Sequence, residues 1–141
     1  MLFDSDMLMN LTDLNMMDSK QNTLTDDKVG LQRGNMFNDE YKPYKNYNPK
    51  EIIAKTEKDA LMLKLYELNF AIIDLNLLLD LHPEDNKMYE IYKKYVNSFD
   101  KAKKMYEENY GPLEITCVDN ESYDWIKNPW PWDKDGGTKY V

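Results

Sequence analysis

Between Glu57 and Leu81 the chain carries apolar residues in two helical registers at once, and this doubling restricts the fold more than any other feature. Leu61, Leu65, Leu68, Ile72, Leu75 and Leu79 follow alternating steps of four and three, which places them on one seam of an α-helix. Leu63, Phe70, Leu77 and Leu81, joined by Tyr66 and Ile73, make a second seam almost opposite. Two narrow polar strips lie between the seams: Glu67 with Asp74 reads as solvated, and Asn69 with Asn76 reads equally as exposed or as fixing helix register through hydrogen bonds. A helix that is apolar on two sides has to be covered on two sides. It is the centre of something.

The flanking residues set the limits of that helix. Thr56-Glu57-Lys58-Asp59 has a capping hydroxyl with an acidic residue three positions on, a helix start. Asn48-Pro49-Lys50-Glu51 carries a similar signal and predicts a short lead-in helix from Pro49. His82-Pro83-Glu84-Asp85 breaks the long helix, and Pro83 suits the first position of a second one, over about 83–110. This second helix has one main apolar seam, Met88, Tyr92, Tyr95, Phe99, Ala102, Tyr106 and Tyr110, and a charged opposite side. Gly111-Pro112 stops it. So short a break folds the two helices back on each other. The expected fold is all-α, an antiparallel two-helix hairpin within 49–112.

Both flanks of the hairpin look irregular. Residues 1–48 are expected to be largely disordered, since Asp, Asn, Ser, Thr and Lys dominate from Asp18 to Lys28. Phe3, Met7, Leu11 and Leu14 would line one face of a short helix there. Residues 33–47, with Gly34, Pro43, Phe37, Tyr41, Tyr44 and Tyr47, read equally as an aromatic docking segment or as a linker. Residues 113–141 form an extended tail, beginning with the alternating Leu113–Val118 and holding all three tryptophans, Trp125, Trp130 and Trp132. Pro129-Trp130-Pro131-Trp132 can be neither a helix interior nor a central strand, because its prolines lack the backbone donor those ladders use. The hairpin's second helix can shield one seam of the first. Leu63, Phe70 and Leu77 on the other seam need a cover, either the tryptophan tail of the same chain or another protein, a second copy included.

Composition narrows the function classes. A formal charge of −8 opposes binding to a nucleic-acid backbone. No apolar run is long enough for a membrane span. Met1–Met17 is interrupted by Asp4, Asp6 and Asp13 and has no early cation, so it is not a secretory signal, which points to synthesis in a cytosolic compartment. A single cysteine, Cys117, rules out an internal disulfide framework. His82, the one histidine, has no nucleophile or orienting acid at a matching spacing. Glu67 and Asp74 stand about 10 Å apart along a helix, too far to share a metal ion. With no phosphate-binding glycine loop either, the residues point to no catalytic, cofactor or metal site.

Four stretches resemble a known family. Asp74-Leu75-Asn76-Leu77 through Leu79-Asp80, His82-Pro83, Tyr110-Gly111-Pro112-Leu113, and Trp125 with Pro129-Trp130-Pro131-Trp132 occur in the order of the spore coat protein CotJB family of endospore-forming bacteria. Leu78 stands where relatives often have Tyr. Within the N-terminal extension, Gly34-Asn35-Met36-Phe37 and Pro43-Tyr44 resemble the Gly-x-x-Phe and Pro-Tyr of the companion coat protein CotJA. The resemblance implies a structural component of the spore coat, made in the mother-cell cytoplasm and carried into the coat. Its implied partners are CotJA-like proteins and the manganese-catalase-like CotJC. It implies no catalytic residues. Partner contacts are expected at Trp125, Trp130, Trp132, Leu63, Phe70, Leu77, Phe37 and Tyr44, with an accessory subunit of the catalase-like protein as the alternative role.

Overall fold

The computed structural model describes residues 24–117 and 121–126. Among these it contains three α-helices, α1 (Asp27–Arg33), α2 (Glu57–Leu81) and α3 (Asn86–Tyr110), and a 3-10 turn at Asp124–Ile126. Helix α2 has the expected limits. The Thr56 hydroxyl accepts from the Asp59 backbone N–H at 3.1 Å, closing the first turn, and the His82 N–H donates back to the Leu78 carbonyl at the far end.

The two long helices form the predicted hairpin. Leu61, Leu65, Leu68, Ala71 and Leu75 of α2 are buried with Met88, Ile91, Tyr95, Ala102 and Tyr106 of α3. The helices run antiparallel, so the last turn of α3 returns to the start of α2. There burial raises the pKa values of Tyr106 and Tyr110, and the charges of Asp59 and Glu57 add to the effect. Ile91 enters the core beside the expected seam, while Tyr92, Phe99 and Tyr110 are half-buried at its edges.

Several boundaries differ from expectation. Helix α3 starts at Asn86 rather than Pro83, because Asp85 supplies the better cap: its carboxylate accepts from the Met88 N–H at 3.0 Å. Pro83 and Glu84 lie instead in a turn closed by the Asp85 N–H on the His82 carbonyl. No helix forms from Pro49, where residues 48–55 are irregular and mostly exposed. Within the extension expected to be disordered, α1 is folded and packs against α2. Asp26 caps it through the Val29 N–H at 2.9 Å, and Gly34 ends it in the left-handed conformation at φ 76°.

The start of the tail is bent rather than extended. Gly111 takes φ 103°, open to glycine and strained for other residues, and ends the helical run. The following residues then stay on α3. The Leu113 N–H reaches Glu107 at 3.2 Å, Lys103 pairs with Glu114 at 2.6 Å, and the Cys117 N–H closes a turn on the Glu114 carbonyl. The possible helix of Phe3, Met7, Leu11 and Leu14 and the Pro-Trp-Pro-Trp run both lie outside the described residues.

Candidate functional site

Helix α2 presents three faces, and each meets something different. The first is the leucine seam on α3. The second consists of Lys64, Glu67, Ala71 and Asp74, spaced by three, four and three and therefore stacked along one side. This is the strip read from sequence as solvated, and the structure overturns that reading. Residues 24–37 cover it.

The cover is polar as well as apolar. Lys64 Nζ lies 2.6 Å from Asp27 Oδ2 of α1 and 3.6 Å from Glu67 Oε2, so one ammonium sits between two carboxylates. Lys64, Asp27 and Glu67 are all buried. Burial raises the Glu67 pKa, and the nearby Asp27 adds to this, while Lys64 opposes it. Burial likewise drives the Tyr95 hydroxyl upward, with Asp27 and Asp26 contributing. About two turns further along α2, Asp74 Oδ2 accepts the Met36 N–H at 2.8 Å. The Met36 side chain is fully buried and lies directly on Gly30, where any side chain would overlap its sulfur. Thr25 donates to the Met36 carbonyl at 2.9 Å and Leu24 bridges to Phe37, so the two ends of residues 24–37 tie to each other.

The third face of α2 is the second apolar seam. Leu63 and Phe70 are half-buried, whereas Ile73, Leu77 and Leu81 expose 52%, 57% and 77% of their surface. Phe70 packs against the edge of the core, whereas Ile73, Leu77 and Leu81 stand out from it. Three of the expected contact residues, Leu63, Phe70 and Leu77, thus share one surface. Trp125 in the 3-10 turn is 41% exposed and Tyr44 in the irregular segment is 83% exposed. Phe37 is half-buried, packed on the protein's own core and paired with Leu24. Trp130 and Trp132 lie outside the described residues.

Sequence reasoning missed Asp27, Gly30, Met36 and Lys64. A signal existed: Asp26 and Gly34 bracket Asp27–Arg33 as a start and a stop. Among the described residues no group of three or more His, Cys, Asp or Glu side chains is placed to hold a metal ion. None of their helices is long and apolar enough to cross a membrane. His82 is exposed in the inter-helix turn, 3.9 Å from Glu84. What the site offers is surface for docking and a buried ionic clasp.

The sequence profile of the CotJB protein family matches residues 59–133, more than half of the chain. The chain belongs to the CotJB family. CotJB is a family of spore coat proteins rather than of enzymes. The match takes in both long helices and the tryptophan run, and it leaves α1 and the clasp residue Asp27 outside. No curated protein and no solved structure gives a significant match.

Proposed function

We propose that this CotJB-family chain is a structural component of the endospore coat that joins a multi-protein assembly through the face of α2 that carries Ile73, Leu77 and Leu81, exposed among the described residues. It would be made in the mother-cell cytoplasm, then built into the coat. The observation that carries this reading is the row Ile73, Leu77 and Leu81, large apolar side chains at least half exposed on a helix whose leucine seam is buried. Scattered single apolar residues on a surface mean little, but a contiguous row next to half-buried Leu63 and Phe70 is a contact surface. Trp125, Trp130 and Trp132 supply further anchors, since rigid aromatics lose little freedom on docking. CotJA-like and CotJC-like coat proteins are the partners the family resemblance supplies. Tyr44 extends the contact, whereas half-buried Phe37 is largely committed within the chain.

The test is co-expression of Ile73→Asp/Leu77→Asp with the two companions, followed by size determination of the complex. The variant is expected to keep its helix content and to stay out of the complex. Normal assembly of a folded variant sinks the reading. Trp130→Ala/Trp132→Ala tests the anchors in the same way. Peroxide turnover by the CotJC-like partner, with and without the chain, should not change if the role is purely structural.

A further inference from the structure

Residues 24–37 form a self-contained arm. Their ends are joined by the Thr25–Met36 hydrogen bond and the Leu24–Phe37 bridge, with α1 closed between them by its own caps. The seat of the arm on α2 is equally well defined. Lys64 takes Asp27, Asp74 takes the Met36 N–H, and Ala71 is fully buried on the same side. What connects arm to hairpin is mostly exposed. No residue from 38 to 58 is buried, and 42–48 are all exposed. Among its ties to the arm are two surface contacts, the exposed Lys28–Glu51 pair and the Arg33 guanidinium over the Tyr41 ring. At roughly 3.3 Å per extended residue it spans about 60 Å, more than enough to reach a neighbouring molecule. The arm also lies outside the region shared with the family.

We propose that the arm is exchangeable: it seats on α2 of a second copy of this chain, with the contacts it makes within its own. Each copy carries one arm and one seat, so reciprocal exchange closes a dimer without creating any new interface. Closure within one chain wins in dilute solution, because a flexible tether of this length holds the arm at an effective concentration on the order of millimolar. Exchange takes over where copies are packed together. This face of α2 is separate from the Ile73–Leu77–Leu81 row, so the proposal does not depend on how that row is used.

Charge reversal tests it on full-length chains. Lys64→Asp places three carboxylates in the clasp and Asp27→Lys places two ammonium groups there, so each variant alone should be monomeric with fast amide exchange at 27–37. Mixed in equal amounts, the arm of each variant matches the seat of the other. The mixture should become a dimer by light scattering, with at least tenfold slower exchange at 27–37. A mixture that stays monomeric with unprotected arms overturns the proposal. A second measurement covers failure of either variant to fold. Isotope-labelled and unlabelled wild-type chains are refolded together near millimolar concentration, and carboxylate is coupled to amine by a zero-length reagent. Asp27–Lys64 products of mixed mass are expected; if every product joins residues of one chain, or none bridges two, exchange does not occur.

Discussion

Lys64 on the central helix and Asp27 on the first helix lie 2.6 Å apart, their side chains only 10% and 13% exposed, although 37 residues separate them in sequence. Removing one member of a buried pair costs more than the pair contributes, because the survivor keeps its desolvation penalty without its partner. Lys64→Met leaves Asp27 and Glu67 facing each other, a loss of about 3–5 kcal/mol if the arm stays seated. Release of the arm is the easier outcome. Hydrogen exchange should show residues 27–37 losing protection while α2 and α3 keep theirs.

Glu67 gives the clasp a pH dependence of definite sign. Burial raises its pKa from the ordinary 4.5, so the folded state binds its proton more tightly than the unfolded state does. Its contribution is therefore fully present below about pH 4.5 and is lost as pH rises through the raised value. Lys64, Asp27 and Lys28 are the charged groups that act on it. Glu67→Gln should flatten this limb of the stability curve, as measured by denaturant unfolding between pH 4 and 8. An unchanged curve in the variant contradicts the assignment.

Gly30 and Met36 test the fit of the arm. A methyl group at Gly30 runs into the buried Met36 sulfur, and overpacking of this kind costs about 1–3 kcal/mol, against a gain near 1 kcal/mol in helix propensity. Met36→Ala opens a cavity worth about 2–5 kcal/mol. Because the two residues are in contact, Gly30→Ala/Met36→Ala should be less destabilised than the sum of the single changes. Additive values in urea unfolding rule out the contact.

The two apolar sides of α2 should respond in opposite ways. Leu68 and Leu75 are fully buried, so either one changed to Ala should cost about 2–5 kcal/mol. Leu77→Glu or Leu81→Glu should stay within about 0.5 kcal/mol of wild type in thermal unfolding and act on assembly instead.

Asp85→Ala should cost about 1 kcal/mol by removing the cap on the Met88 N–H, whereas Pro83→Ala in the preceding turn should matter less. A larger loss at Pro83 would restore it as the start of α3.

What could be read from the sequence was whatever depends on local order. Thr56 and the leucine spacing give α2 its limits, and the single seam of α3 names most of its buried residues, since caps and periodicity act within a few turns. Helix α1 escaped because seven residues are too few for a period to show, and its stability comes from α2 rather than from its own propensity. Glu67 and Asp74 were misread for a related reason. A polar residue on a helix looks solvated unless what buries it is known, and here Met36 meets Asp74 and Asp27 meets Lys64 beside Glu67, both from far upstream. Pro83 suits a first helical position by its ring alone, and the hydrogen bond from the Met88 N–H to Asp85 moves the start of α3 to Asn86.

Ile73, Leu77 and Leu81 sit on a helix already clamped by α3 on one flank and by the arm on another. Whatever settles there meets a stiff rail whose side chains recur at intervals of four residues. Little freedom is left for the rail to lose, so most of the ordering on contact falls to the visitor.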